Sequence, residues 1–415
     1  MMKSLFEGVT GLNANALAMG VIGDNIANVK TVGYKAGTAS FAELLNQTLE
    51  TGGSGNGVAL WDLSNSWNQG APEETGNVMD LSIDGQGFFM VADDAGTIRY
   101  TRAGNFQMDM AGDVVNPDGL RVQGKKILNP ETGLLGNLES INIPSENDPA
   151  RATDSLSMVM NLDPAASADD TFSTSVMVYD SLATPTGLDF LFTPALDGGG
   201  NSLPGRWNWA VSVDPSVTDS PVSSGGVLAF DPDGRLDPSA CIPAGGNPTI
   251  DLTGLKSGAD PLSVEWQYLE DGASDGSITG YAGTSEVTGQ ARNGYPEGVL
   301  QGVGVDETGI ISTIYSNGNV TPIYRITLAD FRNPYGLIDK GSNLFGQSAA
   351  SGQPRTGEPA IGPFGGITSG ALEKSNVDLN SEFVNLITTQ RAFQANSKVI
   401  TTSDALLQEL MKLKS

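Results

Sequence analysis

The apolar positions near the N-terminus recur at helical spacing. Leu5, Val9, Leu12, Ala16, Met19 and Ile26 fall at alternating gaps of four and three, interrupted only at Gly23. Leu5, Leu12, Met19 and Ile26 lie seven apart, which predicts an a/d stripe on a helix roughly 35–40 Å long at 1.5 Å per residue. Gly8, Gly11 and Gly20 weaken such a helix, so it needs a partner to be well ordered. The pattern then runs into "VIGDNIANVKTVGYKAG", residues 21–37, where Gly23, Asn25, Asn28 and Gly33 follow in quick succession without a proline.

The far end of the chain repeats the device. Leu379, Leu386, Phe393, Ile400 and Leu407 are again seven apart. Phe383 and Met411 belong to the second line of that seam, which Gln390, Ser397 and Asp404 interrupt, so the seam is only half apolar. Ser375, Asn376 and Asp378 are all candidate N-caps, and Asp378 with Glu382 would put acids in the first turn. Spacing alone leaves two outcomes open. Each helix packs on its own domain, or they form a coiled coil, between the two ends or between subunits.

Between the helices the period is two. Residues 87–124 read as strand, turn, strand, with "DDAG", "MAGD" and "NPDG" as turns. A second β region runs from Arg151 to about Ser285. There Leu156, Met158, Met160 and Leu162 alternate, as do Leu188, Phe190 and Phe192, and Trp207, Trp209, Val211 and Val213. Such alternation places one face of each strand on a core. "DPSVTDSPVSSGG" and "DPSACIPAGGNPT" read as loops in that region. After about Ala291 the text returns to the style of the first β region, in "GVDETGIISTIYSNGNVTPIYRITLADF".

The expected fold is mixed and mainly β, with nested discontinuous β domains and terminal α-helices pairing as a coiled-coil-like layer. Residues 1–35 with 376–415 form the helical domain, and 36–75 with 341–375 form Gly- and Ser-rich connectors low in strand pattern. Residues 76–150 with 286–340 form the first β domain, and 151–285 an inserted one.

Composition narrows the function. A chain of 415 residues predicts about two to four domains. Its net charge of −26, from 48 acids against 22 basic residues, argues against nucleic acid and against an anionic membrane surface. No apolar run of about 18 residues is present, so no membrane insertion is expected, and no cleavable secretory signal is visible. One cysteine cannot form an internal disulfide, and with no histidine the usual zinc sites are excluded.

Candidate chemistry is sparse. Cys241 lacks a histidine partner and reads as an inert thiol. "FDPDGRL", residues 230–236, lacks the third acid and distal Glu of a calcium loop and reads as a turn. "IDGQG", residues 83–87, has no following Lys-Ser/Thr and is not a phosphate loop. No pair of carboxylates is selected by spacing for glycosidase chemistry. Neither catalytic residues nor cofactor nor metal ligands are assigned, and no enzyme is expected.

The two ends resemble the flagellar axial proteins. At the N-terminus Gly23, Asp24, Asn25, Ile26, Ala27, Asn28, Thr31, Gly33, Tyr34 and Lys35 match that family's G-[ND]-N-I-A-N and T-x-G-[YF]-K pattern. At the C-terminus Ser375, Asn376, Val377, Asp378, Gln390, Arg391, Phe393, Ala395 and Asn396 match S-N-V-D, Q-R-[AS]-[FY] and A-N. These blocks mark rod, hook and hook-associated proteins alike. "VYDSLATPTGLDFLF", "LAFDPDGRL", "IYSNGN" and "ITLADFRNPYGL", together with the length, are similar to the hook branch.

This resemblance implies a structural subunit of the bacterial flagellar hook, self-assembling into a short, curved, hollow tube. The tube would act as a flexible universal joint carrying torque from rod to filament. The terminal helices would pack between copies as the inner wall, through Leu5, Leu12, Met19, Ile26, Leu379, Phe383, Leu386, Phe393, Ile400 and Leu407. Asn25 and Asn28 would be polar anchors where the chain turns out of the wall, or a simple helix cap, and Tyr34 and Lys35 interface or merely flanking residues. Implied partners are many copies of the same chain, rod and hook-filament junction proteins, a hook cap and the flagellar export apparatus. Implied location is extracellular, on the flagellum, after export without signal cleavage. A distal rod or hook-associated protein is the alternative within the class; a secreted glycan-binding β protein is the alternative outside it.

Overall fold

Two helices close the chain, α1 (Met2–Ala27) and α2 (Leu379–Leu413), and nearly all the regular structure between them is strand. The computed structural model describes residues 2–45, 55–129, 132–218, 224–270 and 272–413. It divides into two units. The first comprises Met1–Ser145, Gly302–Thr313 and Thr321–Ser415, the second Glu146–Gln301 and Ile314–Val320.

In the first unit the two helices pack together, and a long antiparallel hairpin, β1 (Gly37–Leu45) and β2 (Gly55–Asn65), lies against α1. Val58 N–H donates to the Thr10 hydroxyl at 3.4 Å, close enough that a Cβ on Gly57 would sit 2.2 Å from that oxygen. The main sheet of this unit centres on the strand Phe88–Ala92, buried at all five positions. Its unbroken apolar run "FFMVA" is the mark of a strand covered on both faces. Around it Phe88, Met90, Tyr100, Phe331 and Phe345 form a core, with Trp67 edge-on to Phe88 at 5.2 Å and to Phe345 at 5.0 Å.

Two main sheets build the second unit. One is an antiparallel meander of Phe172–Tyr179, Pro185–Leu196, Ser202–Val213 and Gly225–Ala229. The other joins Ser155–Asn161 to Leu262–Gln267, Thr249–Leu252, Ile278–Thr279 and Glu286–Arg292. Alternate residues of both meet in one core, where Trp266 stands edge-on to Phe190 and Trp209, each at 5.2 Å. Such pairs contribute about 0.5–1.5 kcal/mol beyond area burial. Cys241 is buried in the same core, and that burial pushes its thiol up, which keeps it unreactive. The loop expected over 214–226 lies partly outside the described residues, at 219–223.

The connectors expected to be strand-poor are strands. Besides β1 and β2, Pro72–Glu74 pairs with Ala371–Glu373, Gly366–Ser369 with Leu81–Asp84, Leu344–Gly346 with Ile98–Thr101, and Arg355–Gly357 with Leu328–Asp330. Three or four residues paired with a segment far away in sequence leave no local period to read. The tip of the hairpin, 46–54, lies outside the described residues. The search for an unbroken apolar run also missed a property of α1. By length and composition Ser4–Ala27 is apolar enough to cross a bilayer. The core helix of a soluble protein and a signal sequence pass the same test.

One turn recurs throughout. Asp93, Asp109, Asp197, Asp231 and Asp306 each accept, on Oδ1, the backbone N–H groups two and four residues on. In each the residue three on is a glycine with φ between 75° and 86°. Asp180 builds the same turn with Leu182 and Thr184, but there the left-handed position is Ala183, at φ 64°. A Cβ in that region costs about 1–2 kcal/mol, partly offset by the greater unfolded-state entropy of glycine. Ala183→Gly should therefore stabilise the second unit by about 0.5–1 kcal/mol in denaturant unfolding followed by tryptophan fluorescence; a loss of stability would contradict this reading of the turn.

Candidate functional site

Both ends of the chain converge within the first unit. The C-terminal turn of α1 is closed locally by Asn28, whose amide Nδ2 donates to the Asp24 carbonyl at 2.9 Å and whose Oδ1 accepts from the Thr31 hydroxyl at 3.0 Å. Asn28 is thus a helix cap. Asn25 is the anchor. It is 1% exposed, and its carboxamide uses all four of its bonding positions. Nδ2 donates to Gly37 O at 2.9 Å and Glu382 Oε1 at 3.3 Å, while Oδ1 accepts from Gly37 N–H at 2.8 Å and the Tyr34 hydroxyl at 3.3 Å. One side chain therefore ties α1 to the start of β1 and to the first turn of α2. Burial raises the Tyr34 hydroxyl above its ordinary range, as do the carboxylates of Asp24, Asp339 and Glu382.

Gly33 permits the turn that follows. It sits at φ 67°, its N–H donates to Glu373 O at 2.7 Å, and a Cβ would lie 2.5 Å from Ala103 N. Two residues on, Lys35 is not a surface flank but fully buried. Its Nζ reaches Glu373 Oε1 at 2.5 Å and Asn68 O at 2.9 Å. Arg102 Nη1 meets the other carboxylate oxygen, Oε2, at 3.4 Å, and Gly70 N–H donates to Oε1 at 2.8 Å. Glu373 thus stands between two buried cations. Burial pushes the Lys35 ammonium and the Arg102 guanidinium down from their usual ranges, against the pull of Glu373.

Asn376 completes the junction from the C-terminal side. Its Oδ1 accepts from Ala36 N–H at 2.8 Å, and its Nδ2 donates to Ser66 O at 2.8 Å and Asn68 O at 2.9 Å. Of the three candidate caps, Asp378 caps α2: it accepts from Asn380 N–H and the Ser381 hydroxyl, which hold its carboxyl below the usual range, the hydroxyl foremost. The Ser375 hydroxyl accepts from Val377 N–H at 3.3 Å.

Part of the seam between the helices runs one position to the side of the α1 heptad line. Among the α1 residues that meet α2 are Ser4, Gly8, Gly11 and Asn25, of which Ser4, Gly11 and Asn25 stand one position before Leu5, Leu12 and Ile26; Ala14 and Ile22 of α1 are buried as well. Ser4 pairs with Ser403, a Cβ on Gly8 would lie 2.9 Å from Ile400 Cγ1, and one on Gly11 would lie 2.6 Å from Asn396 Nδ2. On α2, Leu386, Phe393, Ile400 and Leu407 are half-buried along this face, as Leu5, Leu12, Met19 and Ile26 are on α1. The second row of α2 is not Phe383 and its heptad mates but Glu382, Thr389, Asn396 and Ser403. Small and polar groups that find partners set the pairing, and this leaves apolar groups outside. Leu379 is exposed, as are Phe383 at 50%, Val384 at 60% and Ile387 at 51%. Ala27, Gln390 and Arg391 are exposed; the Met411 side chain lies outside the described ones.

Sequence reasoning missed Glu373, Arg102 and Asn68. Glu373 stands three residues before Asn376 in "LEKSN", but its partner Lys35 lies 338 residues away, and no spacing signals the pair. Among the described residues no group of three or more His, Cys, Asp or Glu could hold a metal.

Glu373→Gln should leave Lys35 and Arg102 buried without a counter-charge and cost about 3–5 kcal/mol in urea unfolding. A loss under about 1 kcal/mol for the single variant would show that the pair does not hold the junction.

Comparison with known proteins covers the whole chain. Residues 7–35 match the family described as flagella basal body rod protein, and 82–158 the flagellar hook protein FlgE/F/G D1 domain. Residues 142–295 match the flagellar basal body protein FlaE D2 domain, and 368–413 the flagellar basal body rod FlgEFG protein C-terminal family. The flagellar hook protein FlgE of Borreliella burgdorferi is 33% identical over 100% of both chains. That of Salmonella typhimurium is 33% identical over 99% of this chain and 100% of its own, and that of Escherichia coli K12 33% over 98% and 99%. A crystal structure of Helicobacter pylori flagellar hook protein FlgE2 shares the fold, with a TM-score of 0.55 at 15% identity, over 73% of this chain and 100% of its own.

Proposed function

This chain belongs to the flagellar hook protein family, and on that premise we propose that copies of it are held together through the terminal helices in a short, curved, hollow tube. One observation carries the proposal. The helix pair buries its small and polar residues against itself and turns apolar ones outward: Phe6, Val9 and Leu17 on α1, and Phe383, Val384, Ile387, Val399 and Leu406 on α2 are all exposed. Fully burying such side chains is worth about 1.5–3 kcal/mol each. Neighbouring copies supply the cover. The full-length match to hook proteins favours the hook over the shorter rod proteins.

In this reading the subunit is non-catalytic and serves as a universal joint, bending while it carries torque. The heptad residues act as packing groups, and Asn25, Lys35 and Asn376 as positioning groups that fix the helix pair. The terminal helical segments, 1–35 and 376–415, are the assembly domain, and the β segments between them supply looser, wetter contacts that break and re-form on bending. The rod, the junction proteins toward the filament, a cap during growth and the export apparatus are its partners. It works outside the cell, after export with its N-terminus intact.

Ile387→Asp, an exposed change on α2, should abolish sedimentable polymer from full-length protein while moving the unfolding of the β units by no more than about 0.5 kcal/mol. Polymer at the wild-type yield would refute packing through this face.

A further inference from the structure

The first unit contains a pocket of about 370 Å³ beside its aromatic core, whose wall shares Arg102 with the terminal junction. Trp67, Phe88, Arg102, Asp330, Arg332 and Arg355 line it. Three guanidinium groups and one carboxylate leave its wall with two net positive charges. That is unexpected in a chain with 48 acids and only 22 basic residues.

The wall is also short of acceptors. Arg102 is 6% exposed, its Nη1 is taken by Glu373 and its Nη2 by Gly85 O at 2.8 Å, and its guanidinium lies 5.4 Å from the centre of the Phe88 ring. Its Nε has no hydrogen-bond partner, and neither does the indole Nε1 of Trp67. An unpaired buried donor adds no stability and leaves that part of the wall without a local acceptor. At the mouth, Arg355 is paired with Asp330, while Arg332 is exposed and makes no ion pair among the described residues. Planar guanidinium forks and an indole N–H beside aromatic rings fit a carboxylate on a short aliphatic stem. The charged end takes the exposed guanidinium groups of Arg332 and Arg355 at the mouth, and the stem lies on the rings.

We infer that this pocket receives a carboxylate side chain, Asp or Glu, presented by a second copy of the chain. Charge complementarity selects that source, because the rest of the molecule is strongly acidic. The inference rests on the reading of the chain as a self-assembling subunit. It adds an electrostatic contact to the apolar one between the helices.

Arg332→Gln tests it, since Arg332 is exposed and holds nothing in the fold. In full-length protein the variant should need about three- to tenfold more protein to polymerise. Free glutarate, compared with sodium chloride at equal ionic strength, should inhibit assembly of the wild type but not of Arg332→Gln. Equal critical concentrations for the two proteins would overturn the inference. So would saturable glutarate binding to wild-type monomer without effect on assembly, which would assign the pocket to a free carboxylate instead. Failure of the wild type itself to polymerise would count against the assembly reading and remove the second copy as source. The glutarate arm on monomer would then decide whether the pocket takes a carboxylate at all.

Discussion

The fold of the terminal region depends on one carboxylate. Glu373 lies between Lys35 and Arg102, and all three are withdrawn from water. Desolvating an ion costs several kcal/mol, so none of these charges is tolerable there without the others. Lys35 stands just beyond the end of α1, and Glu373 just before the start of α2. Because the pair has a single acceptable geometry, the exit of the first helix and the entry of the second are fixed relative to each other. Asn25 and Asn376 repeat the constraint with neutral amides whose bonding positions are filled from both ends of the chain.

Fixing the junction explains how the helices can pair through so little apolar surface. Serine, glycine and asparagine form much of the seam, which brings the backbones close but buries little. A pair of helices joined this way is positioned by the junction as well as by its own contacts. The apolar residues left outside are then available to other copies. In the proposed assembly that division would separate folding from polymerisation: polar contacts determine the subunit, and the exposed apolar faces would determine the polymer.

The sequence made much of this legible. Heptad spacing located both helices, and period-two runs such as Leu188, Phe190 and Phe192 located strands of the second core. The Asn/Gly segment marked the end of α1, and the motif residues Asn25, Gly33, Lys35 and Asn376 proved to be neighbours in space. What could not be read was pairing. Apolar periodicity shows where a helix has a greasy face but not which partner covers it, so it could not place Ser4, Gly11 and Glu382 in the contact between α1 and α2. Strands of three residues, such as Ala371–Glu373, carry no period, and a buried ion pair between residues 35 and 373 carries no local signal. These features come from long-range closure.

Amide hydrogen exchange on full-length protein, as dilute monomer and as polymer, tests the division between junction and helix pair most directly. The account predicts that the backbone of residues 33–37 and 371–376 is protected in both states, while 4–26 and 380–410 exchange fast in the monomer and become protected only in the polymer. Helices equally protected in the dilute monomer would contradict it, because the pair would then be stable without the apolar cover that assembly provides.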